Sequence, residues 1–454
     1  MNSRRQFLKN SGILAAGLGL SRLMTEELTA AVPEVKQTRP APSDRINLGV
    51  IGVNMGVNNI NRVLLNDYAH CIAFCDVDKD RLTNRSEALK KNFPDQTKQL
   101  QTYSDFRKLL DNKDIDAVIL AVPDHWHAYM FVEALKAGKA VYAEKPMANS
   151  IAECNKMVEM QNKYKKVITT GLWQVNQTYF LKAFDILKSG VLGDVFKVHV
   201  FHMANTNPRL AVADEPVPDN LDWDMWLGPA PARPYNPNRV RGWNGLWEYG
   251  GGQITNWAHF IDSAFDGLRM LGLNDGATYP KSIWTVGYKH PDTMNDAPSA
   301  MTTVYEYDKY HVEWSLQVTN LYNCHQGVAW IGSNATLVCN RQSLQLIPHQ
   351  RDRNGNPTIE PIHIPDPPTV DVYDDGLPAQ TKNWLECIRA NNIQTDSPLE
   401  KGVFATILGH CGNISYRTGA KLIYDANTQK FVNNPAADAL LKPAYRSPWD
   451  SMWS

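Results

Sequence analysis

Residues 49–59 read GVIGVNMGVNN, that is Gly49-Val50-Ile51-Gly52-Val53-Asn54-Met55-Gly56-Val57-Asn58-Asn59. A short apolar strand from Ile46 to Ile51 enters this stretch, and a helix running through Asn61 to Leu65 leaves it. Strand, glycine turn and helix in that order make the setting in which backbone N–H groups cradle a pyrophosphate at a helix N-terminus. The spacing departs from G-x-G-x-x-G. Counted from Gly52, the second glycine position holds Asn54, and the last glycine comes one residue early, at Gly56. Asn54 tolerates the positive φ that a second glycine would supply, and Gly56 allows the helix start to pack closely. Met55 lies between them. Asp76, at the end of the next strand (71–75), stands where a carboxylate binds ribose hydroxyls. It would repel a 2′-phosphate, so NAD is the expected cofactor and NADP is disfavoured.

Outward from that loop the texture stays alternating. A helix is expected over 103–111, a fully buried strand over 117–122, a helix over 128–137 stopped by Gly138, a strand over 140–143, a helix over 151–165 and a strand over 167–170. Such alternation predicts an α/β fold built on a doubly wound parallel sheet, a Rossmann domain. After Gly171 the β-rich segments 195–203, 281–288, 301–307, 311–318 and 335–347 point to an α+β domain with a large open, mainly antiparallel sheet. Helices are expected at about 378–391 and 401–418, before an irregular tail. The expected division is therefore a Rossmann domain over 46–170 and a second domain over 171–454, with late helices and tail packing back on the first.

The N-terminus reads differently. Ser3-Arg4-Arg5-Gln6-Phe7-Leu8-Lys9 is a twin-arginine pattern, and the apolar run 13–20 and small residues Thr29, Ala30 and Ala31 complete an export leader over 1–31. That run is too short to span a bilayer, so a chain that is not membrane-embedded and is exported folded to the periplasm is expected. Residues 32–45 form a proline-rich linker. A net charge of −1 gives no basic surface for nucleic acid. The seven cysteines are scattered with no C-x-x-C pair, which favours buried thiols over a disulfide framework or a zinc site, and no metal is expected.

Three constellations carry chemistry. Pro123-Asp124-His125-Trp126-His127 follows the buried strand, with Asp124 able to cap the next helix and His127 facing the C-terminal edge of the sheet. Glu144-Lys145-Pro146 ends the strand 140–143, and a lysine there can hydrogen-bond a substrate hydroxyl and share in its proton transfer. The third is Gly250-Gly251-Gly252-Gln253-Ile254-Thr255-Asn256-Trp257-Ala258-His259-Phe260-Ile261-Asp262. Five of the thirteen tryptophans fall within 223–257, a density that suits stacking on sugar rings as well as packing between domains.

With GVIG, AVPDHWH, AGKAVYAEKP, LDWDMWLGPAP (221–231), NISYRTGAKL (413–422) and AYRSPW (444–449), these motifs resemble the Gfo/Idh/MocA oxidoreductases over nearly everything after residue 45. The resemblance implies an NAD(P)-dependent dehydrogenase of sugars or polyols, a C-terminal sheet that lines the substrate site, and a homo-oligomer, dimer or tetramer. Some relatives of that family are glycosidases that use NAD in a redox-neutral cycle, and a non-catalytic sugar-binding relative is a further alternative. It places Lys145 and His259 at the reacting carbon, with Asn256 at a position usually held by Asp. Asn cannot act as a base, so it would orient the substrate or the histidine. The expected cofactor contacts are Gly52, Asn54, Met55, Gly56, Asp76, Pro123, His127, Glu144 and Lys145. The expected substrate contacts are Trp173, Arg241, Trp243, Tyr249, Gln253 and Asp262. Compared with the family pattern, the glycine loop and the 256–259 segment are each one residue short. If 253–262 is one helix, such a loss turns everything after it by about 100°.

Overall fold

The computed structural model describes residues 45–66, 69–203, 209–317, 326–364 and 376–453. The export leader, the linker up to residue 44 and Cys324 lie outside the described residues. The other six cysteines are free and buried.

The first sheet has six parallel strands, β1 (Ile46–Ile51), β2 (Ala69–Cys75), β3 (Gln101–Tyr103), β4 (Ala117–Leu120), β5 (Ala140–Ala143) and β6 (Ile168–Thr170). Their order is β3-β2-β1-β4-β5-β6. From β1 the chain winds outward one way to β2 and β3, and the other way from β4 to β6. The strand ends of β1 and β4 therefore form the switch-point crevice where doubly wound sheets take their ligands. Leu48, Val50, Val118 and Ile119 are wholly buried, as expected for a sheet covered on both faces.

The intervening helices are α1 (Gly56–Val63), α2 (Lys79–Asn92), α3 (Phe106–Asp111), α4 (Asp124–Lys136) and α5 (Ile151–Tyr164). Three departures from the sequence reading have local causes. Helix α2 was absent from the expectation; its apolar residues are few, and Asp78 starts it by accepting the Arg81 N–H at 3.1 Å. The helix expected from 103 begins at Phe106, because Tyr103 pairs in β3 and Asp105 caps through the Arg107 N–H. The helix expected from 128 begins at Asp124, so Asp124, His125 and His127 occupy its first turn and Pro123 takes the cap position.

The second sheet has eight strands in the order β14-β13-β12-β11-β7-β10-β9-β8. They are β7 (Val195–Met203), β8 (Ser282–Tyr288), β9 (Ala300–Glu306), β10 (His311–Gln317), β11 (Gln326–Gly332), β12 (Ala335–Cys339), β13 (Leu344–Pro348) and β14 (Ile362–Ile364). All pairings are antiparallel except β7 with β10, so the sheet is mixed, mostly antiparallel. The single strand expected over 335–347 is a hairpin. Asn340 Oδ1 accepts the backbone N–H groups of Gln342 and Ser343 and turns the chain there.

The remaining helices include α6 (Thr178–Lys188), α7 (Trp223–Leu227), α8 (Pro237–Arg241), α9 (Gly252–Asn256), α10 (Ala258–Met270), α11 (Leu377–Arg389) and α12 (Leu399–Thr418). One sheet face is covered by α10 and α12: the Trp330 indole N–H donates to the Ala264 carbonyl, and the Tyr305 hydroxyl to that of Leu408. On β8, Trp284, Val286 and Tyr288 share a strand face by their spacing and stand exposed. Late elements return to the first sheet. Trp384 of α11 meets Tyr142 edge-on at 5.7 Å, and Trp449 of the tail packs on Trp126 at 4.9 Å.

Candidate functional site

The glycine loop keeps two of its required features. Gly52 has φ +87° and donates its N–H to the Cys75 carbonyl at 2.9 Å. A Cβ there would lie 2.3 Å from the Ala121 carbonyl oxygen, so only glycine fits. At Gly56 a Cβ would lie 2.6 Å from Val50 Cγ1, which shows the close packing of α1 on β1. The third expectation fails: Asn54 does not adopt a positive φ, a property shared by only four non-glycine residues among those described. Helix α1 starts directly at Gly56 instead, which removes the need for a second left-handed residue. Asn54 and Met55 are exposed at the turn, and no side chain caps α1, which leaves its N-terminus open to an anion.

Asp76 is buried and already bonded. Its Oδ2 accepts the Val53 N–H and its Oδ1 the Asp78 N–H, both at 3.0 Å. Burial raises its pKa, and Arg81 draws it back down. The segment 220–226 crosses this end of the crevice, with Lys79 donating its N–H to the Asn220 carbonyl and Asp222 to that of Val77. Beneath it, Gly52, Asp76, Val122, Pro123, Met225 and Trp226 line a cavity of about 50 Å³. Gly52 and the uncapped α1 N-terminus are groups of the kind that hold a pyrophosphate, with Asp76 at the end of β2 beside them, while Met225 and Trp226 line the small cavity.

At the other side of β4 the E-K-P turn is held from several directions. Asn59 Nδ2 donates to Glu144 Oε1 at 2.7 Å, and the Lys145 N–H donates to Oε2. Glu144 is thus engaged by protein groups, its pKa raised by burial and lowered in turn by Lys145. Both ring nitrogens of His127 face carbonyl oxygens, of Pro146 at 2.6 Å and Val122 at 2.7 Å. His127 therefore ties the two strand-end loops together and has no ring nitrogen left over for a cofactor. Asp124 accepts the Gly251 N–H, linking α4 to the loop before α9.

Lys145 and the His259 segment meet. Lys145 Nζ donates to the Asn256 carbonyl at 2.9 Å and to its Oδ1 at 3.0 Å. Asn256 Nδ2 in turn reaches Gln253 Oε1, which also accepts the Trp257 indole N–H at 2.9 Å. The continuous helix considered for 253–262 is broken. Trp257 has ψ +31° between α9 and α10, and Phe260 donates back to its carbonyl. Beyond the break His259 is buried, its ring 4.8 Å from that of Trp173, and its Nδ1 has no partner among the described residues. Burial first, then the charges of Arg341 and Lys145, hold its pKa well below the usual histidine value. A neutral imidazole beside a lysine is a proton acceptor at neutral pH.

Two residues absent from the sequence reading complete the cluster. Arg341, on the turn joining β12 and β13, places its guanidinium 4.6 Å from the Trp173 ring, 5.4 Å from Trp257 and 5.5 Å from Phe260. Its Nε donates to Gln174 Oε1 at 2.8 Å, and Gln174 donates to Ser263 on α10. His202 of β7 lays its ring 4.2 Å from that of Trp257. Signals for both existed: Asn340 is a turn former inside an apparent strand, and His202 shares the strand parity of the buried Val198 and Val200.

Four expected substrate contacts lie apart from this group, three of them in packing or ion pairing elsewhere. Tyr249 is wholly buried and Trp243 packs beside it, in a cluster where Trp223 and Trp226 stack at 4.8 Å. Arg241 is exposed at the end of α8. Asp262 lies 3.8 Å from Lys401 of α12, with Asp266 closer to the same lysine, and burial pushes its pKa up to about 7. Trp173 and Gln253 do join the Lys145–His259 group.

Residues 46–172 match the model of an oxidoreductase family's NAD-binding Rossmann fold, and residues 178–305 match that of the family's C-terminal alpha/beta domain. The chain is 33% identical over 165 residues to a glycosyl hydrolase family 109 protein of Parabacteroides distasonis, covering 35% of each chain. It is 28% identical over 168 residues to inositol 2-dehydrogenase of Salmonella typhimurium, covering 36% of this chain and 48% of that one. It is 34% identical over 170 residues to alpha-N-acetylgalactosaminidase of Tannerella forsythia, covering 35% and 36%. The matches thus span between about a third and a half of these relatives. Among solved structures it resembles levoglucosan dehydrogenase in complex with NADH and levoglucosan, with TM-score 0.63, 14% identity and coverage of 84% and 99%. It also resembles the WlbA dehydrogenase from Bordetella pertussis in complex with NADH and UDP-GlcNAcA, with TM-score 0.60, 16% identity and coverage of 85% and 99%. At such identities the likeness is one of fold.

Proposed function

The chain belongs to the Gfo/Idh/MocA oxidoreductase family, and on that premise we propose that it is an NAD-dependent oxidoreductase exchanging a hydride at a carbinol carbon of a sugar or glycoside. One observation carries the reading: Lys145 Nζ is aimed by Asn256 into the same cluster as a buried, neutral His259, beside the switch-point crevice. The role of Asn256 is thus to orient the lysine rather than the histidine. Gly52 and the N-terminus of α1 would hold the pyrophosphate, and Asp76 would favour NAD over NADP. When bound, the nicotinamide supplies a hydride acceptor. His259 takes the hydroxyl proton as the carbon is oxidised, and Lys145 hydrogen-bonds the same oxygen.

The glycosidase reading is favoured by the family 109 relatives, and it uses the same oxidation at C3 to acidify the neighbouring C–H. The twin-arginine leader supports export of the folded chain to the periplasm with its cofactor already bound, and recycling of that cofactor in place. The exposed β8 face with Trp284, Val286 and Tyr288 supports a homo-oligomer. Native mass spectrometry of the protein as purified tests the core claim. A mass raised by one NAD per chain is expected, and a bare polypeptide mass would overturn it. Nitrophenol release from aryl glycosides without net NADH separates glycosidase from dehydrogenase. Sugar binding indifferent to both NAD and Lys145→Ala would instead identify a non-catalytic binder.

A further inference from the structure

Two motifs that carry the family resemblance, LDWDMWLGPAP and AYRSPW, have no part in the Lys145–His259 group, yet they meet each other. The first contains α7, whose five residues are too few to hold a helix by their own hydrogen bonds. Its shape is set by its partners. Asp222 caps the start by accepting the Met225 N–H at 3.0 Å. At the far end the carbonyls of Met225 and Trp226 accept the Trp126 indole N–H at 3.0 and 3.1 Å. Gly228, with φ +49°, turns the chain flat against that ring, where a Cβ would fall 2.1 Å from it. Arg446 of the tail, 222 residues beyond Asp224, holds the same helix end. Its Nε donates to the Gly228 carbonyl at 2.6 Å, its Nη2 to the Asp224 carbonyl at 2.8 Å and its Nη1 to the Asp224 carboxylate at 2.7 Å. On either side of Arg446 the tail is anchored. The Tyr445 hydroxyl donates to the buried Glu153 of α5, and Trp449 packs edge-on against Trp126 at 4.9 Å and Tyr129 at 5.2 Å, both on α4.

From α7, Met225 and Trp226 reach the cavity that Gly52, Asp76 and Pro123 also line. That cavity measures about 50 Å³, room for about one or two waters, whereas pockets for small-molecule ligands run to about 300–1,000 Å³. The gap between α7 and Asp76 as it stands is too small for a nucleoside, so α7 has to move outward for one to enter or leave. We propose that the tail latches α7 across the switch-point crevice, with Arg446 as the positioning residue, and that opening of this latch governs release of the dinucleotide. The proposal rests on the oxidoreductase reading above and adds to it the means by which the cofactor is kept. A guanidinium suits the task, because its forked donors serve two carbonyls and a carboxylate at once, at a helix C-terminus that favours a cation. The pairing with the Asp224 carboxylate is exposed and contributes little, so the two carbonyl bonds hold the helix end. A cofactor recycled in place has to outlast many turnovers. A latched α7 gives it slow release without any tighter contact at the nicotinamide.

The test mixes the full chain, carrying its own dinucleotide or loaded with NAD, with an excess of isotopically labelled NAD and follows replacement by native mass spectrometry. In wild type, replacement is expected to be slower than turnover. Arg446→Ala is expected to speed it by about 10-fold or more, through loss of charge-assisted hydrogen bonds. Amide hydrogen exchange on the same loaded proteins reads the latch directly. The amides of 222–230 should open faster in Arg446→Ala by a similar factor, while those of β1 and β4 keep their wild-type protection. Arg446→Lys keeps the charge but not the fork, and should move both readings the same way by about threefold. It decides by the same criteria if Arg446→Ala does not fold. Wild-type replacement as fast as turnover would overturn the proposal. So would a variant that opens 222–230 yet releases dinucleotide at about the wild-type rate, or one that leaves both readings unmoved. Faster release with β1 and β4 equally unprotected would also overturn it, since that marks a merely structural role. A wild-type chain that neither carries dinucleotide nor takes up added NAD would sink the oxidoreductase reading itself, a separate failure.

Discussion

The glycine loop and the 256–259 segment, each expected from the family resemblance to be one residue short, make their turns in different ways. In the loop, the helix simply starts sooner: Gly52 keeps its positive φ, Gly56 keeps its contact with Val50, and the turn stays tied to β2 through the Gly52 and Val53 N–H groups. In the second segment a change of one residue within a continuous helix would swing His259 by about 100°. There the helix breaks at Trp257, and the break itself becomes a site feature, because it sets the indole 4.2 Å from the His202 ring and 5.4 Å from the Arg341 guanidinium. The loop runs straight into its helix, while the second segment turns through a break between two helices.

The largest expected effect tests whether the two segments share one site. Lys145→Met should lower turnover between about 10²- and 10⁴-fold, with the native mass still showing bound dinucleotide. An equal effect of Lys145→Met on cofactor retention would break the comparison, by making the lysine part of the loop's business. Inserting one glycine between Trp257 and Ala258 should cost about 10²-fold or more in turnover through misplacement of His259, again with cofactor kept. The matching insertion between Met55 and Gly56 should do the reverse, changing dinucleotide affinity in a titration while leaving substrate binding alone. Gly52→Ala sharpens the loop side. The backbone conformation alone costs about 1–3 kcal/mol, and the clash with the Ala121 carbonyl adds to it, so a lowered melting midpoint with loss of dinucleotide is expected.

The smallest effect is on pH dependence. His259 has a folded pKa below the ordinary 6.5, so it stays neutral and competent as a base until the pH falls below that value. Arg341→Gln removes one of the charges holding it down, and the acid limb of kcat/KM should move up toward 6.5. An unmoved limb would mean that burial and Lys145 suffice.

Much of this was legible in the chain. Alternating apolar runs set the β1-to-β6 layer, because strand and helix periods are local properties. Gly52 and Asp76 were marked by the strand–turn–helix motif, and Lys145, Asn256 and His259 by the family resemblance. Helix α2 escaped because its pattern is weakly apolar, and the β12–β13 hairpin because one Asx turn interrupts a run of strand formers. The tryptophan-dense stretch misled in part: Trp243 and Tyr249 pack among themselves, since large aromatic rings serve a core as readily as a ligand.

The sequence by itself determined the doubly wound sheet and the glycine turn, from residues whose chemistry or period is written within a few positions of one another, while Lys145, Asn256 and His259 were singled out by family resemblance. Only the tertiary structure decided that Asn256 serves Lys145, that Asp262 turns to Lys401, and that Arg341 and His202 join His259. Those outcomes depend on sheet register and on where one helix breaks, and register and breaks are settled by packing between segments far apart in the chain.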